Sequence, residues 1–120
     1  MRVLVCGGRD FDDWGRLCSE LDKLLFDSAR LIHIIQGGAK GADFLSRVWA
    51  KFRNCPWSEY PADWKKYGKG AGHIRNQQML DEGKPDLVLA FPGGVGTADM
   101  VRRARKAGVE VIEVNETSIS

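Results

Sequence analysis

Cysteine is scarce and unpaired. Cys6, Cys18 and Cys55 are three in 120 residues with no C-x-x-C spacing, which disfavours both a disulfide framework and a structural zinc site. The two histidines, His33 and His73, stand apart, so no metal-ligating cluster is expected and no cofactor is implied. Charge of one sign is lacking too: 18 basic against 16 acidic side chains leave +2. That is a marginal excess rather than the concentrated basic face of a nucleic-acid protein, and such a partner is not expected. No apolar run approaches the ~20 residues that cross a bilayer, and the start, MRVLVCGGRD, lacks the long apolar core of a signal peptide. The expectation is a soluble, cytoplasmic chain with no membrane contact. Internal repeats and low-complexity segments are absent, and 120 residues at 43% hydrophobic and 28% charged suit one globular domain spanning 1–120.

What is abundant is glycine. Fourteen glycines make about 12% of the chain, against ~7% in typical proteins, and their placement is informative. The apolar run 2–6 ends at Gly7-Gly8 and reads as a buried strand. Asp12 and Asp13 precede Trp14, Leu17, Leu21, Leu24 and Leu25, an amphipathic helix spacing with acids at its positive end. Residues 31–35 form a second strand signal ending at Gly37-Gly38. A helix is expected over 42–52, with Phe44, Leu45, Val48 and Phe52 on its apolar side. Residues 57–60 read as a short third strand closed by Pro61, and 62–71 as a loop. The next helix runs over about 72–81 and is stopped by Gly83 and Pro85. Residues 86–91 are the clearest strand. Thr97 caps a helix that carries Met100, Val101 and Ala104 and ends at Gly108, and a last strand spans 109–114 before a frayed tail over 115–120.

Strands alternating with helices at this spacing imply βαβ units and a parallel sheet. The expected architecture is α/β: a Rossmann-like three-layer α/β/α sandwich around a five-stranded, mostly parallel sheet in the order 3-2-1-4-5. Three glycine-rich turns each join a strand to a helix: Gly7-Gly8-Arg9-Asp10, Gly37-Gly38-Ala39-Lys40-Gly41-Ala42-Asp43, and Pro92-Gly93-Gly94-Val95-Gly96-Thr97. In a parallel sheet they share one edge. With neighbouring strands ~4.8 Å apart they would meet in one cleft on the order of 10 Å wide, at the switch point where such sheets bind ligands. Backbone amides and helix N-termini exposed there suit phosphate. The alternative is that each is only a tight turn and helix cap. A P-loop is not present, since Lys40 is followed by Gly41 rather than Ser or Thr. The dinucleotide pattern is half present, since Gly94-Val-Gly96 lacks its third glycine.

Pro92-Gly-Gly-Val-Gly-Thr97 resembles the PGGxGT signature of the SLOG superfamily, which includes the LOG nucleotide phosphoribohydrolases and the Smf/DprA proteins. The rest is more similar to the small YspA/YpsA-related SLOG proteins. The residues concerned are Val5-Cys-Gly-Gly-Arg-Asp-Phe11, Gln36-Gly-Gly-Ala-Lys-Gly-Ala-Asp43, Pro61-Ala-Asp-Trp64, Gly72-His-Ile-Arg-Asn76 and Ala90-Phe-Pro-Gly-Gly-Val-Gly-Thr97. The resemblance implies a Rossmann-like fold that binds a nucleotide or nucleotide-derived ligand at the glycine turns. LOG enzymes continue GTxxE, with the glutamate acting on the N-glycosidic bond. Here the chain reads Gly96-Thr-Ala-Asp-Met100, and Met100 cannot ionise. Asp99 is adjacent, but one residue along a helix is ~100° of rotation. Arg75-Asn76 resembles the arginine-bearing helix start of LOG enzymes and implies a phosphate contact.

The candidate ligand residues are therefore Gly7, Gly8, Arg9, Asp10, Gly37, Gly38, Ala39, Lys40, Gly41, Asp43, Trp64, Arg75, Asn76, Pro92, Gly93, Gly94, Val95, Gly96 and Thr97. Arg9 and Asp10 could instead form a surface pair, and Lys40 a solvated charge. Asp43 and Asp99, both placed in a first helical turn, either serve the helix dipole or accept hydrogen bonds from ribose hydroxyls. With chemistry they are the general-base candidates, and Arg75 the phosphate anchor. Asn76 could read a base or sugar edge. Trp64, with Tyr67 and the neighbouring lysines, could close as a lid and stack on a base. Arg102, Arg103, Arg105 and Lys106 read as a solvated helix end, and Trp14, Trp49 and Trp57 as core or subunit contacts. The leading expectation is a sensor or carrier that binds a small phosphorylated nucleoside derivative. The alternatives are a hydrolase that cuts a nucleotide N-glycosidic or phosphate bond and, behind it, a DprA-like DNA binder. A homodimer through apolar helix faces is the expected assembly.

Overall fold

The computed structural model describes residues 1–28 and 31–115. In chain order these form β1 (Arg2–Cys6), α1 (Trp14–Ser28), β2 (His33–Gln36), α2 (Ala42–Phe52), β3 (Trp57–Glu59), α3 (Trp64–Tyr67), α4 (Ala71–Gly83), β4 (Leu87–Ala90), α5 (Val95–Lys106) and β5 (Glu110–Glu113). A 3-10 turn over Gly68–Gly70 joins α3 to α4. One sheet results, in the order β3-β2-β1-β4-β5, and each of its four pairings is parallel. The three-layer architecture and the strand order are those the sequence implies.

Alternation along the inner strands divides the core in two. Val3 and Val5 face one side and pack with Leu17, Leu21, Ile34, Trp49 and Phe91, the side covered by α1 and α2. Leu4 and Cys6 face the other and pack with Met79, Leu80, Met100, Val101 and Ala104, under α4 and α5. The split follows from crossover handedness. From β1 the chain steps outward to β2 and β3, then returns across the sheet to β4 and β5. Crossovers of one hand that travel in opposite directions lie on opposite faces.

Several expected details are corrected. The stretch expected as a loop over 62–71 holds α3, because the Asp63 side chain caps it, accepting from the Lys66 amide at 3.1 Å. On α2 the buried positions are Ala42, Asp43, Ser46, Trp49 and Ala50, whereas Phe44 and Phe52 are exposed. The helix starts so close to β1 that a Cβ at Gly7 would sit 2.7 Å from that of Ala42. The side chain that meets the sheet at the start of the helix is therefore small, and the phenylalanines are turned to the flank. Thr97 is not a cap: α5 begins at Val95, and its N-cap is Gly94, without a side-chain bond. Asp99 accordingly lies in the second turn. Gly108 ends α5 as expected, with φ +77° and a Schellman pair of bonds, Gly108 to the Arg105 carbonyl and Val109 to that of Ala104. Trp49 is core and donates to Asp22 at 2.9 Å, whereas Trp14 and Trp57 are surface residues. The tail expected over 115–120 lies, from 116 onward, outside the described residues.

Candidate functional site

At the C-terminal edge of the sheet lies a cleft of about 410 Å³ between the β1–α1 turn, the start of α5, and α3 with α4. It brings together twelve of the residues singled out from sequence. Gly7, Gly8 and Arg9 come from the first turn. Ala39 and Asp43 come from the second, Gly94, Val95, Gly96 and Thr97 from the third, and Trp64, Arg75 and Asn76 from α3 and α4. Asp10, Pro92 and Gly93 instead line an adjoining hollow of about 640 Å³, which shares Gly8, Arg9 and Gly94 with the cleft. Gly37, Gly38, Lys40 and Gly41 line neither.

The three turns are not equivalent, because their amides are differently engaged. The first three amides of the second turn are taken by nearby side chains. Asp43 Oδ2 accepts from the Gly37 and Ala39 amides at 3.1 and 3.2 Å, and Gln36 accepts from Gly38. The Gly37 carbonyl takes Arg75 Nη1 at 2.6 Å, over a position where any Cβ would collide with the guanidinium. Gly41, at φ +79°, packs against the carbonyl of Gly8. These bonds make the turn a brace, with the Gly37 and Gly38 amides, read from sequence as phosphate contacts, engaged by Asp43 and Gln36. In the first turn the Gly8 amide donates to the Pro92 carbonyl at 2.9 Å. The third turn keeps donors free at the start of a helix. The first-turn amides of Val95, Gly96 and Thr97 have no helical acceptor, and among the described residues no other protein group takes them.

Arg75 uses two of its donors internally, Nη1 to Gly37 and Nε to Asn76 Oδ1 at 3.2 Å, and a guanidinium has five. It is half-buried. Burial lowers its pKa, and the nearby Asp43 works in the opposite direction. Burial pushes the Asp43 carboxyl up to about 6, against the pull of the Ala39 amide, Arg75 and the Gly37 amide. Its Oδ2 is committed to the second turn, and Oδ1 has no protein partner among the described residues. Burial also raises the Cys6 thiol on the cleft floor, with Asp43 adding to the effect, so Cys6 stays protonated.

Two candidates change role. Asn76 donates to the Gly96 carbonyl at 3.1 Å and to Asp99 at 3.0 Å. It is spent on holding α4 to α5 and offers no free edge for a base. Asp99 does not line the cleft. It receives Asn76 and Arg103 on Oδ2, and Arg102 and His73 Nδ1 on Oδ1. Burial works to raise its pKa, but the hydrogen bonds from Asn76, His73 and Arg103 prevail and hold it below the ordinary carboxylate value. A carboxylate so occupied is a poor base, which corrects its expected catalytic role. The basic helix end is likewise engaged: Arg102 and Arg103 serve Asp99, and Arg105 pairs with Glu113. Arg9 forms no ion pair with Asp10 and lies over the Trp64 ring, 5.9 Å from its centroid.

Sequence reasoning missed Cys6, Gly72, His73 and Met79 as cleft residues, and took Lys69 only as one of the lysines of a loop able to close as a lid. The signal was present on α4. Gly72, Arg75, Asn76 and Met79 recur at i, i+3, i+4 and i+7, one helical face. No group of three or more His, Cys, Asp or Glu able to hold a metal ion occurs among the described residues. No helix among them is long and apolar enough to cross a membrane.

Fold and cleft together define a Rossmann-like α/β protein with a cleft at the C-terminal edge of its sheet. More particularly, the chain belongs to the YspA, cpYpsA-related SLOG family, whose model matches residues 1–67. That match takes in the first two turns, Asp43 and Trp64, and ends before Arg75 and the Pro92-Gly-Gly motif. The Gene 61 protein of Mycobacterium phage D29 is 36% identical over 126 residues, covering 96% of this chain and 97% of its own. Among solved structures, the crystal structure of MurG from Acinetobacter baumannii is similar, with a TM-score of 0.54 and 16% identity over 93% of this chain. This chain spans about a third of MurG, 33% of its length. At that identity the likeness is one of fold.

Proposed function

We propose that the cleft binds a nucleotide or nucleotide-derived phosphorylated ligand, with the chain acting as a sensor or carrier. The observation that carries this reading is the open start of α5. Three unengaged amides sit at the positive end of a twelve-residue helix, in a cleft that the half-buried guanidinium of Arg75 and Lys69 also line. A phosphate there gains from the helix end, about 0.3–2 kcal/mol. It gains also from guanidinium hydrogen bonds of about 1.5–3 kcal/mol each. Trp64 offers the face on which a base stacks.

The test is thermal shift against mononucleotides, ADP-ribose and cyclic or oligonucleotides, with Gly94→Asp as control. Gly94 is the N-cap of α5, and a side chain there meets open space. Aspartate is a good N-cap, so this variant should melt no lower than the wild type while its carboxylate repels the anion. Ligand-induced stabilisation in the wild type and none in Gly94→Asp is expected. No shift with any ligand refutes the proposal.

One observation favours the hydrolase reading as an alternative: a cleft carboxyl whose pKa, about 6, lets it take a proton near neutrality. Met100, at the position of the LOG glutamate, is fully buried in the core, and Asp99 is occupied, so Asp43 would be the base and Arg75 the anchor. Incubation with nucleoside monophosphates should then release free base or ribose 5-phosphate. Turnover that survives Asp43→Asn eliminates this mechanism.

A further inference from the structure

The cleft groups its polar functions by sign of hydrogen bonding. Its donors are the amides at the start of α5, the remaining N–H groups of Arg75, and Lys69. Facing into the same space are two acceptors. One is Asp43 Oδ1, on a side chain only 7% exposed and without a protein partner among the described residues. The other is the imidazole of His73. Its Nδ1 lies 3.1 Å from Asp99 Oδ1. A carboxylate at that nitrogen accepts from Nδ1–H, and the tautomer with its proton there carries its lone pair at Nε2. Nε2 has no partner among the described residues, and His73 is a cleft residue. Asp99 is itself held by Asn76, Arg102 and Arg103, which makes the ring's orientation a product of α4–α5 packing.

Donors alone complement a phosphate. Acceptors beside them are left unsatisfied by a bare anion, and a carboxylate would repel it. They match a group that donates, and on a phosphorylated nucleoside the donors nearest the phosphate are the sugar hydroxyls. We propose that His73, oriented by Asp99, and the free oxygen of Asp43 select a ligand whose phosphorylated sugar carries free hydroxyls. This rests on the anion-binding reading above and adds the sugar to it. His73 is a specificity residue in this scheme, and Asp99 a positioning residue.

The test is titration of the full chain, followed by amide chemical shifts, with inorganic phosphate, AMP and 2′,3′-dideoxy-AMP. In the wild type, phosphate should move the amides of Val95, Gly96 and Thr97. AMP should bind about tenfold more tightly than its dideoxy analogue, the scale of one or two neutral hydrogen bonds. His73 is partly exposed, with 44% of its side-chain surface free, so its variants should fold. His73→Ala should bring the AMP-to-dideoxy ratio close to one while leaving phosphate binding in place. His73→Gln, whose amide reaches where Nε2 stood, should restore part of the ratio, which a merely structural role would not do. Equal affinity of AMP and its analogue in the wild type overturns the inference and leaves the anion site standing. So does a ratio that His73→Ala does not change. If phosphate, AMP and the analogue all fail to bind, the anion-binding reading falls, and this inference with it.

Discussion

Replacing Asp43 by asparagine should stabilise the protein at neutral pH and do nothing at acid pH. The carboxyl is buried at the start of α2, and burial carries its pKa from the ordinary 3.8 to about 6 in the folded chain. Below pH 4 it is protonated in both folded and unfolded states and contributes no pH dependence. Between about 4 and 6 the unfolded chain ionises while the folded chain keeps its proton, so stability falls as pH rises. Above 6 the penalty is constant, and a shift of this size corresponds to about 3 kcal/mol at most. Asparagine escapes the penalty, because its side-chain oxygen can still accept from the Gly37 and Ala39 amides that Oδ2 accepts now. Urea unfolding at pH 4, 5, 6 and 7.5 should show Asp43→Asn level with the wild type at the acid end and ahead of it by about 2–3 kcal/mol at pH 7.5. Asp43→Ala orphans both amides and should be less stable at every pH, by about 1–3 kcal/mol. An Asp43→Asn advantage that does not grow with pH would refute the reasoning. Retention of an ionisable group that weakens the fold is what a functional carboxylate looks like.

Gly41→Ala should cost at least about 2 kcal/mol in the same assay, since it combines left-handed backbone with a collision against the Gly8 carbonyl. Gly94→Ala, which meets open space, should be nearly neutral, and equal effects of the two would show that the turns are not distinguished as described. Trp64→Ala should weaken AMP by about 1–3 kcal/mol with inorganic phosphate unaffected, measured by calorimetry. The stability that Asp99 contributes, present above its ordinary pKa and lost as pH falls through its lowered folded value, should be missing from Asp99→Asn. That variant is then expected to lose less stability than the wild type on acidification below pH 4, as followed by circular dichroism.

Much of the layout was legible along the chain because its causes are local. The run of apolar residues over 2–6, the punctuation by glycine and proline, and the Gly108 stop depend on near neighbours, and alternating strands and helices leave few topologies open. Less legible was the face that α2 buries. Phe44 and Phe52 satisfy the helical period, but close approach at Gly7 and Ala42 puts a small residue against the sheet, and that distance is set by packing across the sheet.

Strand order and the position of the cleft, then, belong to the chemistry of the chain itself, for side-chain periodicity and crossover hand leave little choice. Which turn can receive an anion was decided only in three dimensions. The second turn is as rich in glycine as the third, yet its Gly37, Gly38 and Ala39 amides and its Gly37 carbonyl are taken by Asp43, Gln36 and, from 38 residues away, Arg75. Asp99 looked like a base and is an anchor, while His73, an isolated histidine in the sequence, faces the cleft because α4 and α5 pack there. Availability of a hydrogen-bonding group depends on what else reaches it, and partners distant in sequence are joined only by the folded chain.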